Sequence, residues 1–254
     1  KGEVDPVTLD LIENGLRNAR YEMDEVLFRT ALSPGIREQH DEFPLIADPD
    51  GKMVVGQFGL SIPDFLDGFD DTIEEGDVLL TSDPYACGAA ISHANDWLVV
   101  VPIFKEGRLV GGAAMFGHMS DVGGKTPCSM PTDARTIYEE GVVIPPFKLY
   151  QRGVLNEDAL RIILNQVRKP DWNRADLNGI VAACRTALEL SLKQALGERA
   201  TVTYPADAVC KAGDQPCLDD VRFRPLGGVT QPLIPWINRP TYQQAVEVQG
   251  RSPR

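Results

Sequence analysis

Histidine is the scarcest chemically useful residue in this chain: there are three in 254 residues, His40, His93 and His118. Basic residues are short too. Twenty-five Lys and Arg stand against 37 Asp and Glu, a net charge of −12. That leaves no cationic excess to neutralise a phosphate backbone and argues against a nucleic-acid partner. No apolar run approaches the ~18–20 residues of a membrane-spanning helix, and the longest, Trp97 to Phe104, is strand-sized. The opening Lys1-Gly2-Glu3-Val4-Asp5 lacks the apolar stretch of a secretory signal. The five cysteines form an odd set without a C-x-x-C pair. Together these absences predict a cytoplasmic, reducing setting with free thiols and no membrane association. Cys210 and Cys217, which bracket a polar loop, are the pair able to bridge under oxidation. A Walker-type phosphate loop, a strand-borne G-x-G-x-x-G and a G-x-S-x-G elbow are all missing, so nucleotide binding and serine-hydrolase chemistry have no local signature.

What remains is an ordinary globular composition, 43% hydrophobic and 24% charged, with material for one large domain or two modest ones. Asp5-Pro6 is a carboxylate cap followed by proline at the first helical position. Leu9, Ile12, Leu16, Ala19, Met23 and Val26 then recur at helical spacing, predicting a long helix that Ser33-Pro34-Gly35 ends. Phe43–Ala47 and Lys52–Val55 read as strands around the turn Asp48-Pro49-Asp50-Gly51, and Val78–Thr81 as another. Trp97–Phe104 and Arg108–Phe116 flank Lys105-Glu106-Gly107 as an antiparallel hairpin. Gly117–Pro146 is a long irregular stretch, of the kind that is functional or disordered. Helices follow at Glu157–Val167, stopped by Pro170, and from about Asp176 to Leu196 with Leu177, Ile180, Val181, Cys184, Leu188 and Leu192 on one face. The expected fold is α+β: a mixed, mainly antiparallel sheet with a long N-terminal helix and a C-terminal helical pair. A boundary is expected near Gly197, separating residues 1–196 from a proline-rich loop-and-strand tail, 197–254, marginal in length as a domain.

Each histidine lies beside a carboxylate, in Glu38-Gln39-His40-Asp41-Glu42, His93-Ala94-Asn95-Asp96 and His118-Met119-Ser120-Asp121. The two H-x-x-D strings flank the hairpin. Antiparallel pairing brings those strand ends together, so His93, Asp96 and His118 can converge, with Asp41 at the start of a further strand able to join them. Two imidazoles and two carboxylates are a reasonable donor set for Zn²⁺, Mn²⁺ or Fe²⁺. The plainer alternative is that each pair is a surface ion pair or a hydrogen bond fixing a loop. Gly123-Gly124 reads either as a nest of N–H groups facing a ligand or as a tight loop.

These strings resemble the hydantoinase B/oxoprolinase family. The resemblance rests on Asp5-Pro6-Val7-Thr8-Leu9, Arg29-Thr30-Ala31-x-Ser33-Pro34, Gly76-Asp77-Val78 and Ser82-Asp83-Pro84-Tyr85. It continues with His118-x-x-Asp121-Val122-Gly123-Gly124, Ser129-Met130-Pro131, Glu140-Gly141-x-x-Ile144-Pro145-Pro146-x-Lys148-Leu149 and Leu155-Asn156-Glu157-Asp158. It covers residues 5 to 196, the N-terminal part of the family's usual chain. It implies a B-type subunit of an ATP-dependent cyclic-amide hydrolase, opening hydantoin, oxoproline or lactam rings in a hetero-oligomer. An A-type partner would use ATP to activate the carbonyl. The alternatives it implies are an acetone/acetophenone-type carboxylase subunit, or a shortened non-catalytic relative that only binds the A-type partner. It further implies that Asp41, His93, Asp96 and His118 ligate one divalent ion, with Asp121 as general base or as support for a ligand. Two departures fall at this site. Glu42 follows Asp41 where the family usually has an aromatic residue, adding charge beside the ion, and residues 86–92 are longer than the family's usual approach to the first histidine.

Overall fold

A computed structural model describes residues 5–56, 60–128 and 130–195, with side chains as far as Ser191. The expected boundary at Gly197, the tail 197–254, Cys210 and Cys217 lie outside the described residues, as do Ser129 and the side chain of Leu192.

Helix α1 spans Pro6–Thr30. Its cap is Asp5, whose carboxylate accepts the Thr8 N–H at 3.0 Å, with Pro6 in the first turn. Gly15, Ala19, Met23, Val26, Leu27 and Thr30 form the buried face. The first turns do not share it, since Val7, Leu9 and Leu11 are exposed; periodicity identifies an apolar stripe but not how much of it finds a cover. A short helix α2 (Pro34–Gln39) leads into β1 (Glu42–Ala47), which turns back through Asp48–Gly51 into β2 (Met53–Gly56). Helix α3 (Pro63–Asp67) and β3 (Val78–Thr81) precede the hairpin β4 (Asp96–Lys105) and β5 (Arg108–His118). The hairpin turn is Glu106-Gly107, both at positive φ, the two-residue turn whose twist suits paired strands. Strands β6 (Phe147–Gln151) and β7 (Val154–Leu155) and helices α4 (Glu157–Leu164) and α5 (Pro170–Ala195) complete the order.

The seven strands make one sheet, β2-β1-β5-β4-β3-β6-β7, with antiparallel pairing throughout. This is the expected α+β fold with its long first helix and C-terminal helical pair. The pairs β6 and β7 and the helices α2 and α3 escape sequence reading because they are too short for a period to develop. Pro170 opens α5 rather than merely ending the helix before it, as the first helical turn tolerates a missing N–H.

The sheet's two faces bury different partners. Ile46, Leu80, Trp97, Val99, Ala113 and Met115 face α1 and α5. Leu45, Leu79, Leu98, Val100, Ala114 and Phe116 face α3 and the loop bearing Cys87, Ala90 and Ile91. The longer 86–92 segment therefore packs under the sheet instead of looping free. An apolar cavity of about 280 Å³ lies at the far end of the hairpin, between α1, α5 and β2, lined by Ile12, Leu16, Ile46, Val54, Ile103 and Val110.

One buried carboxylate joins the helices to the loop after β5. Asp176 of α5 accepts the N–H groups of Leu32 at 2.5 Å and Ser33 at 3.1 Å and the Ser33 hydroxyl at 2.5 Å. The same hydroxyl oxygen accepts the Ser120 N–H at 2.9 Å. The Thr30-Ala31-x-Ser33-Pro34 string thus serves as a joint between α1, α5 and the residues following His118. Asp176→Ala strands two backbone donors and a hydroxyl in the interior. It should cost about 3 kcal/mol in urea unfolding; a loss under about 1 kcal/mol would show that the joint does not hold these elements together.

Candidate metal centre

Strand register builds the site. In the β4–β5 ladder Asp96 stands directly opposite His118, and in the β1–β5 ladder Glu42 stands opposite Gly117. One residue further on, the His118 N–H donates to the Asp41 carbonyl at 3.1 Å. Residues two apart share a face, so Asp96 and His118 continue the face of Leu98 and Phe116, at the open end of the sheet and on the side away from α1 and α5. His93 arrives from the turn preceding β4, closed by the Asp96 N–H donating to the His93 carbonyl at 3.2 Å.

The four expected ligands gather as follows. One Asp96 carboxylate oxygen lies 3.1 Å from His118 Nδ1 and the other 3.4 Å from His93 Nδ1. The two imidazoles meet edge to face at 4.9 Å between centroids. Donor atoms of His93, Asp96 and His118 all lie within 4.8 Å of one another, the one such group of three or more His, Cys, Asp or Glu among the described residues. Asp41 stands at the margin, Oδ2 3.8 Å from His118 Nδ1, and is the most exposed of the four at 42% against 4% for Asp96. His93 Nδ1 is buried without a hydrogen-bond partner, close to Asp96 but not aligned to bond it. A buried ring nitrogen left in that state beside a carboxylate and a second imidazole fits a cation better than it fits a loop-fixing hydrogen bond.

Asp121 belongs to a different constellation. Its carboxylate accepts the N–H groups of Gly123 at 2.9 Å and Cys128 at 3.1 Å and pairs with Arg168 at 2.9 Å. Burial works to raise its pKa, but these donors together outweigh burial and hold it below the usual carboxylate range. A carboxylate so engaged is a weak base, and the contacts describe a loop anchor. Arg168 also donates to the Gly124 carbonyl. The glycine pair serves close packing: a side-chain carbon at Gly123 would strike the Gln166 carbonyl, and one at Gly124 the Glu140 carbonyl. That is the tight loop, not a ligand-facing nest.

Sequence reading missed two residues beside the cluster. Asn95 clamps the ends of the hairpin, its side-chain amide donating to the Met119 carbonyl at 2.9 Å while its own carbonyl accepts the Met119 N–H at 2.8 Å. Glu140 accepts the Ala94 N–H at 3.0 Å. Neither contact leaves a local pattern, because each joins positions far apart in sequence.

Comparison with known proteins was made against this geometry. A family model described as hydantoinase B/oxoprolinase matches residues 5–212, past the boundary expected at Gly197. The caprolactamase subunit beta of Pseudomonas jessenii is 34% identical over 71% of this chain and 32% of its own length. The crystal structure of the ATP-dependent caprolactamase from Pseudomonas jessenii superposes with a TM-score of 0.65 at 30% identity, over 76% of this chain and 34% of that one. A nucleotide-free acetone carboxylase structure shares the fold, with a TM-score of 0.69 at 20% identity over 76% of this chain and 27% of that one. The chain thus spans about a third of the length of the caprolactamase relative it matches.

Glu42, expected to add charge beside the ion, does not. It alternates with Asp41 to the helix side of the sheet, where it is 2% exposed and its Oε1 meets His40 Nδ1 at 3.2 Å. His40 is thereby kept out of the cluster, stacked on Phe28 at 4.2 Å between centroids. Burial, reinforced by Asp24 and Asp41 and opposed by Arg20, pushes the Glu42 carboxyl up to about 8. A folded pKa above the unfolded one means stability that is present below about 4.5 and lost as pH rises through about 8. Glu42→Gln, which cannot ionise, should therefore gain on the parent protein steadily between pH 5 and 8 in urea unfolding. A difference that stays flat with pH would contradict the buried, proton-holding state.

Proposed function

The chain belongs to the hydantoinase B/oxoprolinase family, and from that premise we propose that it is the cation-holding, N-terminal part of a B-type subunit of an ATP-dependent cyclic-amide hydrolase. The observation that carries this reading is the convergence of His93, Asp96 and His118 at one sheet end with a buried, unbonded imidazole nitrogen among them. We assign these three, with Asp41 as the marginal fourth, as the ligands of one Zn²⁺, Mn²⁺ or Fe²⁺. Such an ion, when bound, supplies Lewis acidity toward a carbonyl oxygen and acidifies water.

The chain's own residues supply the setting. Asp96 stands between both imidazoles, bonded to His118 Nδ1 at 3.1 Å, which orients that ring, and 3.4 Å from His93 Nδ1. Phe116 and Phe43, stacked at 5.0 Å between centroids, continue the same face behind His118 as an apolar floor. Asp41, on the exposed side, marks the direction from which a cyclic amide enters. With no phosphate-binding signature in the chain, ATP is assigned to an A-type partner in a hetero-oligomer, in keeping with the subunit and ATP-dependence named for the caprolactamase relative. Residues 197–254 are proposed to lie outside this catalytic part.

Elemental analysis tests the site directly: about one divalent ion per chain in the parent protein, lost in both His93→Ala and His118→Ala. Full metal content in both variants would sink the assignment. With an A-type subunit and ATP, ring opening of a lactam or hydantoin is the expected activity. Bicarbonate incorporation instead would move the reading to a carboxylase, and a parent protein devoid of metal would leave a partner-binding relative.

A further inference from the structure

Only two of the three clustered donors stand on strands. Asp96 opens β4, His118 closes β5, and cross-strand pairing fixes both. His93 stands in the preceding turn, outside the ladder. Its neighbour Asn95 is tied to Met119, but that clamp acts on the strand side of the turn. At the residue next to His93 the hold comes from 46 residues away, where the Ala94 N–H donates to Glu140 Oε2 at 3.0 Å.

Glu140 is itself braced. It follows a single 3-10 turn, Ile137–Glu139, closed by a reciprocal capping box between Thr136 and Glu139. The next residue, Gly141, forms a β-bridge with Gly123, and the Val142 N–H donates to the Val122 carbonyl at 2.8 Å. A charged acceptor on a fixed segment thus bonds a backbone donor one residue from a candidate ligand. We propose that Glu140 is a positioning residue, holding the 93–95 turn so that the His93 imidazole stays against Asp96 and His118. Its bearing on metal affinity rests on the cation site proposed above, whereas the hold itself is a property of the metal-free chain.

The scarcity of histidine makes this measurable. The full chain has three imidazoles, so a long-range ¹H–¹⁵N spectrum of metal-free protein at fixed pH contains three ring systems. Glu140→Ala should displace and broaden the His93 signals while those of His40, seated between Phe28 and Glu42, stay put and report an intact fold. Glu140→Gln keeps an oxygen that accepts the Ala94 N–H and should restore His93. Cobalt(II) titration should then show binding weakened about tenfold or more in the Ala variant and close to the parent in the Gln variant. Unmoved His93 signals in Glu140→Ala, or failure of Gln to restore them, would overturn the proposal. If the Ala variant does not fold, Glu140→Asp, which keeps the charge but withdraws the acceptor from the Ala94 N–H, takes its place: displaced His93 signals support the proposal and parental ones overturn it. His93 signals that follow the proposal in a parent protein taking no cobalt would refute the cation reading and leave the positioning role standing.

Discussion

The β4–β5 register is the constraint on which the rest of the site depends. Asp96 faces His118 because ten residue pairs, from that one to Lys105 and Arg108, set the ladder, and because a bulge between Ile103 and Phe104, which leaves Val110 unpaired, shifts by one residue the register that the two-residue turn begins. A slip of one residue would place Asp96 opposite Gly117 and send every β5 side chain to the other face. Ala113 and Met115 would then leave the helices and Phe116 would enter them, which the two separate cores forbid. The hydrophobic sorting of the strand interiors is thus also what holds two polar residues opposite each other at its end.

The same alternation keeps two acidic groups apart that are adjacent in sequence. Asp41 turns to the open side with the His–Asp cluster, and Glu42 to the helix side with Asp24, Arg20 and His40. Arg20 and Asp24 pair at 2.8 Å, one α-helical turn apart on α1. Burial lifts the Asp24 carboxyl to about 6, opposed by Arg20 and His40. Glu42, lifted to about 8, holds its proton at neutral pH, whereas Asp24, lifted only to about 6, is mostly ionised there and paired with Arg20. The intrusion at position 42 is therefore compatible with a cation site on the opposite face.

The hairpin, the long first helix, the strands β1–β3 and the convergence of His93, Asp96 and His118 were all legible, because each rests on a period or on the geometry of a pair. Less was legible where an interaction crosses the chain. Phe147-Lys148-Leu149-Tyr150 does not read as a strand, since Lys148 interrupts the apolar run. In the fold its side chain is 8% exposed and its ammonium pairs with Asp77 at 3.0 Å and Asp71 at 3.1 Å, so a charge that argues for a loop is neutralised by partners sequence reading cannot place. Asp121 meets partners that sequence reading cannot place either. Its position after His118 suggested a catalytic partner, whereas its donors come from the following loop and from Arg168.

Most of the strings that make this chain resemble its family turn out to secure scaffold contacts. Asp5-Pro6 caps α1, Ser33 meets Asp176, and Asp77 of Gly76-Asp77-Val78 meets Lys148 of the proline-rich string. Ser82, in the string ending at Tyr85, accepts the Ile144 N–H at 2.9 Å and donates to the Val142 carbonyl at 3.1 Å. The Ser33 and Ser82 contacts draw the loops after β3, after β5 and before β6 together, and those loops surround the open end where His93, Asp96 and His118 stand, whereas the Asp5 cap and the Asp77–Lys148 pair lie toward the opposite end of the sheet. The cavity at the other end of the hairpin, with its apolar lining, receives none of them. Asp176, Ser33 and Ser82 thus place long-range polar contacts around the end of the sheet where a carboxylate stands between two imidazoles, and the Asp77–Lys148–Asp71 group secures the opposite end, so both ends of a sheet whose faces are apolar are tied by buried polar partners.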